Sequence, residues 1–221
     1  MNKVYNCIEN KELCKMCKGA CCKGCGCAYI SEDFEKIKFD YLDNILAQGN
    51  ISIVAHLDFL FNKNGRPYTN TTLYLRVRNT QRDIVDLVSI SSTCSLLKDN
   101  GCPFDFENRP TGGKVIIPDY PNMCESTLSH AEILETWKPH QNVLRKLVKK
   151  YSGLTVEEKI KKDIEELSYK LHKKEFAQTD NLVSVQNLDN MLLDFFAVFP
   201  EEIQKGYERS ISYRRVLSKN I

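Results

Sequence analysis

The sequence has little net charge, no long apolar run and no secretory start, and each absence excludes a class of protein. A formal net charge of +2 provides no strong field for nucleic acid or for an acidic membrane surface. The most apolar stretch, MLLDFFAVF, is too short to cross a bilayer and contains Asp194. The first residues, MNKVYNCIENKEL, show neither an apolar core nor a small-residue cleavage site. We therefore expect a cytoplasmic protein without membrane contact.

Sulfur, by contrast, is concentrated in one place. The chain has ten cysteines in 221 residues, and six of them lie in CKMCKGACCKGCGC, which starts at Cys14. In a reducing cytosol, clustered cysteines more often bind metal or carry out redox chemistry than form disulfides. A chain of this length also builds a core without covalent staples. The pattern favours a metal centre over a disulfide framework, and over buried thiols that act only as small apolar side chains.

The cysteines fall into two groups along the chain. The first group is Cys14, Cys17, Cys21, Cys22, Cys25 and Cys27, the second is Cys94, Cys102 and Cys124, and Cys7 stands apart. A C-x2-C pair can place two thiolates on one metal. Because adjacent side chains diverge, Cys21 and Cys22 are expected to face two metals or two corners of one multinuclear cluster. The distant cysteines would complete the metal shells, which would couple metal binding to folding.

The residue types leave two metal centres open. Thiolates suit zinc and iron–sulfur clusters alike. The ferredoxin run C-x2-C-x2-C-x3-C-P is absent from the sequence. No histidine lies within the cysteine segment, so a histidine-rich catalytic zinc site is not expected. The cofactor is therefore predicted to be zinc or an iron–sulfur cluster.

Local patterns in the first two thirds of the chain predict a mixture of strands and helices. The Gly- and Cys-rich residues 14–28 are expected to be irregular, with a helix start at Ser31 and a helix that stops at Gly49. ISIVAHLDFLF and TTLYLRVR alternate in polarity and predict a β-hairpin. STCSLLKDNGCPF predicts a second, shorter hairpin, and KVIIP predicts another short strand.

The last part of the chain predicts helices. They begin at Ser129, with a break or kink at Pro139 and a stop at Gly153. Thr155 and Glu158 have capping-box spacing at the start of the next helix, and two more helices are expected beyond it. The predicted fold class is α+β. Residues 1–150 would form a small metal-stabilised cysteine-rich domain with β-hairpins and helices. Residues 151–221 would form an all-helical extension that packs on this domain or binds a protein partner.

Several separated motifs resemble one known family. CKMCKGACC resembles the signature of the CxxCxxxCC cysteine-cluster family, which comprises zinc- or iron-chelating domain proteins of bacteria. GCAYISEDFEKI and CSLLKDNGCPFDFENRPTGG resemble its later segments, and the likeness runs from about residue 14 to residue 145. The resemblance implies metal chelation by eight cysteines, with Cys25 as an alternative ligand. These eight are Cys14, Cys17, Cys21, Cys22, Cys27, Cys94, Cys102 and Cys124.

The resemblance implies chelation without implying a reaction. The leading hypothesis is a metal centre with a mainly structural or accessory role, for which no small-molecule substrate is specified. A relative, the flagellin lysine-N-methylase, has a similar cysteine cluster, so an enzyme of protein modification or redox chemistry is an alternative. No glycine-rich nucleotide loop follows a predicted strand, and its activity is therefore not transferred to particular residues. A zinc-ribbon-like nucleic-acid adaptor is the third hypothesis.

Three neighbouring features have two interpretations each. RPTGGK has glycines and a lysine that could cradle phosphate, but it lacks P-loop spacing and is better explained as a turn. Arg109 could donate to cluster thiolates or form a structural ion pair. Asp33 could accept a hydrogen bond beside the metal ligands, or it could serve as an ordinary helix-start carboxylate.

Overall fold

A computed structural model of the protein describes residues 9–19, 22–23, 26–61, 63, 67–80, 82–88, 93–99, 101–120 and 123–172. These residues form helices and small sheets, as an α+β fold requires. The two helices predicted beyond residue 172 lie outside the described residues, as do Cys7, Cys21 and Cys25.

Helices and strands are interspersed along the chain. The helices are α1 Lys11–Cys17, α2 Phe39–Ala47, α3 Thr111–Lys114, α4 His130–Trp137, α5 Gln141–Ser152 and α6 Val156–His172. The strands are β1 Ile51–Phe61, β2 Pro67–Val77, β3 Ile116–Tyr120 and β4 Met123–Ser126. Short 3-10 turns occupy Ser31–Asp33, Phe106–Asn108 and Lys138–His140.

The chain divides into two compact units. The first contains residues 1–56 and 72–153, and the second contains residues 57–71 and 154–221. Every cysteine that the structure describes belongs to the first unit. The predicted division into domains at residue 150 stays a prediction.

β1 and β2 form the predicted hairpin. Leu73, Leu75 and Val77 are buried as predicted, but Thr72 and Tyr74 are buried as well, so this part of β2 is enclosed on both faces. The start of β1 is buried on both faces, since Ser52 and Val54 are as enclosed as Ile53. At this point Ile53 also bridges Val85 in parallel, with a hydrogen bond of 2.7 Å from its N–H to the carbonyl of Ile84.

The other edge of β2 is occupied by the residues that follow the cysteine segment. Ala28 bridges Arg76 in antiparallel fashion, and Tyr29 N–H donates to the Leu75 carbonyl at 2.9 Å. Farther along this edge, the side chain of Gln141 replaces the missing strand. Its Nε2 donates to the Leu73 carbonyl at 2.8 Å, and its Oε1 accepts from Leu73 N–H at 2.8 Å. A single carboxamide therefore satisfies both polar groups of an edge residue.

The helix signals after Ser129 are confirmed. Ser129 Oγ accepts from Glu132 N–H at 3.2 Å, and the Glu132 carboxylate accepts from Ser129 N–H at 3.0 Å. Pro139 lies in the 3-10 turn between α4 and α5, and Gly153 ends α5 with φ of 72°. Thr155 and Glu158 form the predicted capping box at the start of α6.

Three local predictions are corrected. The cysteine segment is not wholly irregular, because α1 forms where Asn10 Oδ1 caps Leu13 N–H at 3.0 Å. Ser31 begins a single 3-10 turn and does not cap a longer helix. The predicted second hairpin is reduced, in the described residues, to a tight turn that is closed by paired hydrogen bonds between Lys98 and Gly101.

The Gln141 carboxamide generates a stability prediction. Gln141→Ala should lower the free energy of unfolding by about 1–3 kcal/mol, because both polar groups of buried Leu73 lose their partner. Chemical denaturation measures the change. Asn142→Ala is the matched control, since Asn142 is exposed on the same helix. Equal stability of the two variants would contradict the proposed role of Gln141.

A pH dependence follows from the contact between α2 and α5. Hydrogen bonds from Lys150 and Tyr151 lower the pKa of the Asp43 carboxyl, and the bond from Tyr151 Oη measures 2.9 Å. Asp43 therefore stabilises the fold above its unfolded pKa, and this contribution is lost as pH falls through the lower, folded pKa. Asp43→Asn should be less stable than the native chain at neutral pH and should match it in acid. Chemical denaturation from neutral to acidic pH measures whether the stabilities of Asp43→Asn and the native chain become equal. Asp40→Asn, at an exposed position of the same helix, is the control.

Candidate metal centre

Two of the predicted ligands lie on α1. Cys14 and Cys17 are three residues apart, so they lie on the same side of this helix, where Cys14 is exposed and Cys17 is half-buried. α1 contacts β3, and β3 pairs with β4 so that Pro118 lies opposite the exposed Cys124. The fold thus brings α1, with its two cysteines, and the β3–β4 hairpin, with Cys124, to the same region of the first unit.

Three other predicted ligands pack together in the interior. Cys22 and Cys94 are 9% and 6% exposed, they form a small buried group with Val77, and Cys27 packs against that group. We call Cys22, Cys27 and Cys94 the inner cysteine cluster. A backbone hydrogen bond of 2.7 Å from Cys94 N–H to the Cys22 carbonyl connects its two distant parts.

Strand pairing explains why these side chains meet. Val77 N–H donates to the Cys27 carbonyl at 2.9 Å, and Asn79 bridges Cys94 in antiparallel fashion. Residues paired across antiparallel strands direct their side chains to the same face, and alternate residues of one strand share a face. Cys27 and Cys94 therefore lie on the face that also carries Val77 and Asn79.

Cys102 lies near the same group. Burial raises the pKa of the Tyr29 phenol well above its ordinary value, and the carboxylate of Asp33 raises it further. The thiols of Cys27, Cys94 and Cys102 would act in the same direction when ionised. These three thiols are consequently within electrostatic reach of one phenol, although they come from segments far apart in the chain.

Glycine permits the close packing of α3 on the cluster. A Cβ at Gly113 would lie 2.8 Å from Cys27 Sγ, a separation that real Cβ atoms do not show. The RPTGGK segment itself forms one helical turn, in which Gly112 N–H donates to the Ala28 carbonyl and Gly113 N–H donates to the Pro110 carbonyl. Because both glycine N–H groups are engaged within the protein, the segment serves as a turn and not as a phosphate cradle.

Asp33 holds the cysteine segment to α3. Its Oδ2 accepts from Ile30 N–H and from Thr111 N–H at 3.0 Å each, and its Oδ1 accepts from Thr111 Oγ1 at 2.5 Å. Arg109, the other ambiguous residue, forms an ion pair of 2.9 Å with Glu9. Both side chains thus make structural contacts that connect distant parts of the chain.

Asn79 is a site residue that the sequence analysis missed. It is 1% exposed, and its Oδ1 accepts from Gly26 N–H at 2.8 Å, between the positions of Cys25 and Cys27. Its Nδ2 has no hydrogen-bond acceptor among the residues that the structure describes. No sequence motif distinguishes this asparagine, since its importance comes only from its pairing with Cys94.

The described thiols are neighbours without forming a complete site. Within residues 9–172, apart from the gaps stated above, no group of three or more His, Cys, Asp or Glu side chains has an arrangement that could hold a metal ion. No disulfide joins any two of the seven cysteines in this part of the chain. Cys21 and Cys25, which the sequence places in the same segment, lie outside the described residues. Metal stabilisation of the domain stays a prediction.

In comparisons with known proteins, the chain matches no family model, no curated protein and no solved structure. The likeness to the CxxCxxxCC family therefore stays a prediction that rests on its motifs. In the part of the chain that the structure describes, no helix combines the length and the apolar character needed to cross a membrane.

The hydrogen bonds of Asp33 generate a prediction about the stability of the contact between the cysteine segment and α3. Asp33→Ala removes three hydrogen bonds at once and should lower the free energy of unfolding by about 2 kcal/mol. Asp105→Ala is the matched control, because Asp105 is exposed and makes no side-chain capping bond. Urea denaturation of both variants measures the difference. If Asp33→Ala is as stable as the control, the aspartate does not hold α3 to the cysteine segment.

Proposed function

We propose that the protein is a cytoplasmic metal-binding protein whose cysteine-ligated centre, zinc or iron–sulfur, has a structural or accessory role. The observation that carries the proposal is the inner cysteine cluster. Cys22 and Cys27 pack with Cys94 in one group. Cys102 lies within electrostatic reach of the Tyr29 phenol, which packs against that group. Such a set of thiols from distant segments has the chemistry of the all-cysteine ligand shells that zinc and iron–sulfur clusters use.

The donor set fits the proposed metals. Four thiolates complete a tetrahedral zinc site or hold an iron–sulfur cluster, and the inner cluster together with Cys102 supplies four sulfurs. The described side chains do not form a preformed site, so these sulfurs would have to move closer when a metal binds. Such convergence is expected where metal binding and folding are coupled.

The outer cysteines support a larger centre. Cys14 and Cys17 on α1 lie on an element that contacts the hairpin carrying Cys124. The cysteines thus form two groups, the inner cysteine cluster and an outer group of Cys14, Cys17 and Cys124. Two groups agree with the hypothesis that Cys21 and Cys22 face two metals or two corners of one cluster. The role of the centre would then be to hold the cysteine segment, β2 and the β3–β4 hairpin together.

Replacement of ligands tests the proposal. Cys22→Ser and Cys94→Ser should each lose most of the bound metal and melt at a lower temperature than the native chain, because each removes a buried thiolate. Cys7→Ser is the control, since Cys7 lies outside the predicted ligand set. Metal analysis after anaerobic purification gives the content, and an absorption spectrum separates colourless zinc from a brown iron–sulfur cluster. Full metal content with unchanged melting in both ligand variants would contradict the proposal.

A further inference from the structure

Asn79 lies beside the inner cysteine cluster with its side chain enclosed. The residue is 1% exposed and bridges Cys94 across an antiparallel pair. Directly opposed residues in such a pair have Cβ atoms about 5 Å apart on one face of the sheet. The Asn79 carboxamide therefore projects over the same region as the Cys94 thiol, next to Val77.

The orientation of the carboxamide follows from its hydrogen bond. Gly26 N–H donates to Asn79 Oδ1 at 2.8 Å. Rotating the amide by half a turn would place its NH2 group against the Gly26 N–H, which sets donor against donor. Oδ1 must therefore face Gly26, and Nδ2 must point away from that peptide.

Nδ2 is left as a buried donor. Among the residues that the structure describes, no oxygen, nitrogen or sulfur accepts a hydrogen bond from it. A buried amide without an acceptor costs about 1–3 kcal/mol, so native proteins rarely leave one. A metal-bound thiolate is a far better acceptor than a neutral thiol because it carries negative charge.

We infer that Asn79 is a positioning residue of the centre, whose Nδ2 donates a hydrogen bond to a sulfur of the inner cysteine cluster once metal binding has brought that sulfur within reach. This inference rests on the proposed function. Oδ1 fixes the loop at Gly26, while Nδ2 stabilises the thiolate and orients it toward the metal. Such contacts around a ligand set both metal affinity and the electron-donating strength of the sulfur.

The structure offers a substitution that separates these two roles. Asn79→Asp keeps an oxygen for Gly26 N–H and removes the Nδ2 donor. Asn79→Leu has the same branched shape with bulkier ends, removes both Oδ1 and Nδ2 and adds no charge, so it serves if the buried carboxylate prevents folding. Asn108→Asp introduces the same charge at an exposed position of the same unit and is the matched control.

Zinc affinity and a cobalt spectrum provide the readouts. The full-length chain is titrated with Zn²⁺ against a chromogenic chelator, and with Co²⁺ to record the sulfur-to-cobalt charge-transfer band. Loss of the N–H···S bond should weaken Zn²⁺ binding by about 10–100-fold. It should also move the band to lower energy, because the sulfur lone pairs are no longer stabilised. Asn108→Asp should leave both the affinity and the band unchanged.

The possible results separate the inference from the proposed function. If the native chain binds neither Zn²⁺ nor Co²⁺, the inference fails, and the proposed function fails as well if the chain also holds no iron after anaerobic purification. If the native chain binds both ions and the folded Asn79 variants show the same affinity and band position, only the inference is overturned. A weaker affinity with an unmoved band also overturns it, because that result is expected of an asparagine that only supports the loop.

Discussion

The described fold depends on the pairing of residues 27–29 with the open edge of β2. This pairing places Cys27 opposite Val77 and Tyr29 opposite Leu75, at the end of the most cysteine-rich part of the chain. The Tyr29 carbonyl then accepts a hydrogen bond of 2.8 Å from the indole of the fully buried Trp137. One short stretch of backbone thus connects the sheet, the cysteines and α4.

The same constraint explains why the thiols meet before any metal is considered. Strand pairing alone brings the inner cysteine cluster together, and Asp33 and Gly113 let α3 approach it closely. The backbone defines which sulfurs are neighbours, while a bound metal would define their final separation.

Local signals in the sequence were informative where the structure is local. The strand character of β2, the capping boxes at Ser129 and Thr155, and the stop at Gly153 depend on residues within a few positions of one another. The helix α1 was missed because the cysteines and glycines of residues 14–28 suggested an irregular loop, whereas a cap from Asn10 helps to start a helix there. The place of Asn79 had no local signal at all.

The sequence by itself indicated the β1–β2 hairpin and the helix limits at Ser129, Gly153 and Thr155, because residue type and short-range periodicity encode them. The cysteine ligands stay a prediction. The sequence also separated the cysteines into two groups and connected them through the hypothesis of a shared centre. Only the tertiary structure decided that Cys22, Cys27 and Cys94 form the inner group, with Asn79 beside them. The physical reason is that these neighbours are created by hydrogen bonds between distant strands, and no pattern within a short window records which strand edges will pair.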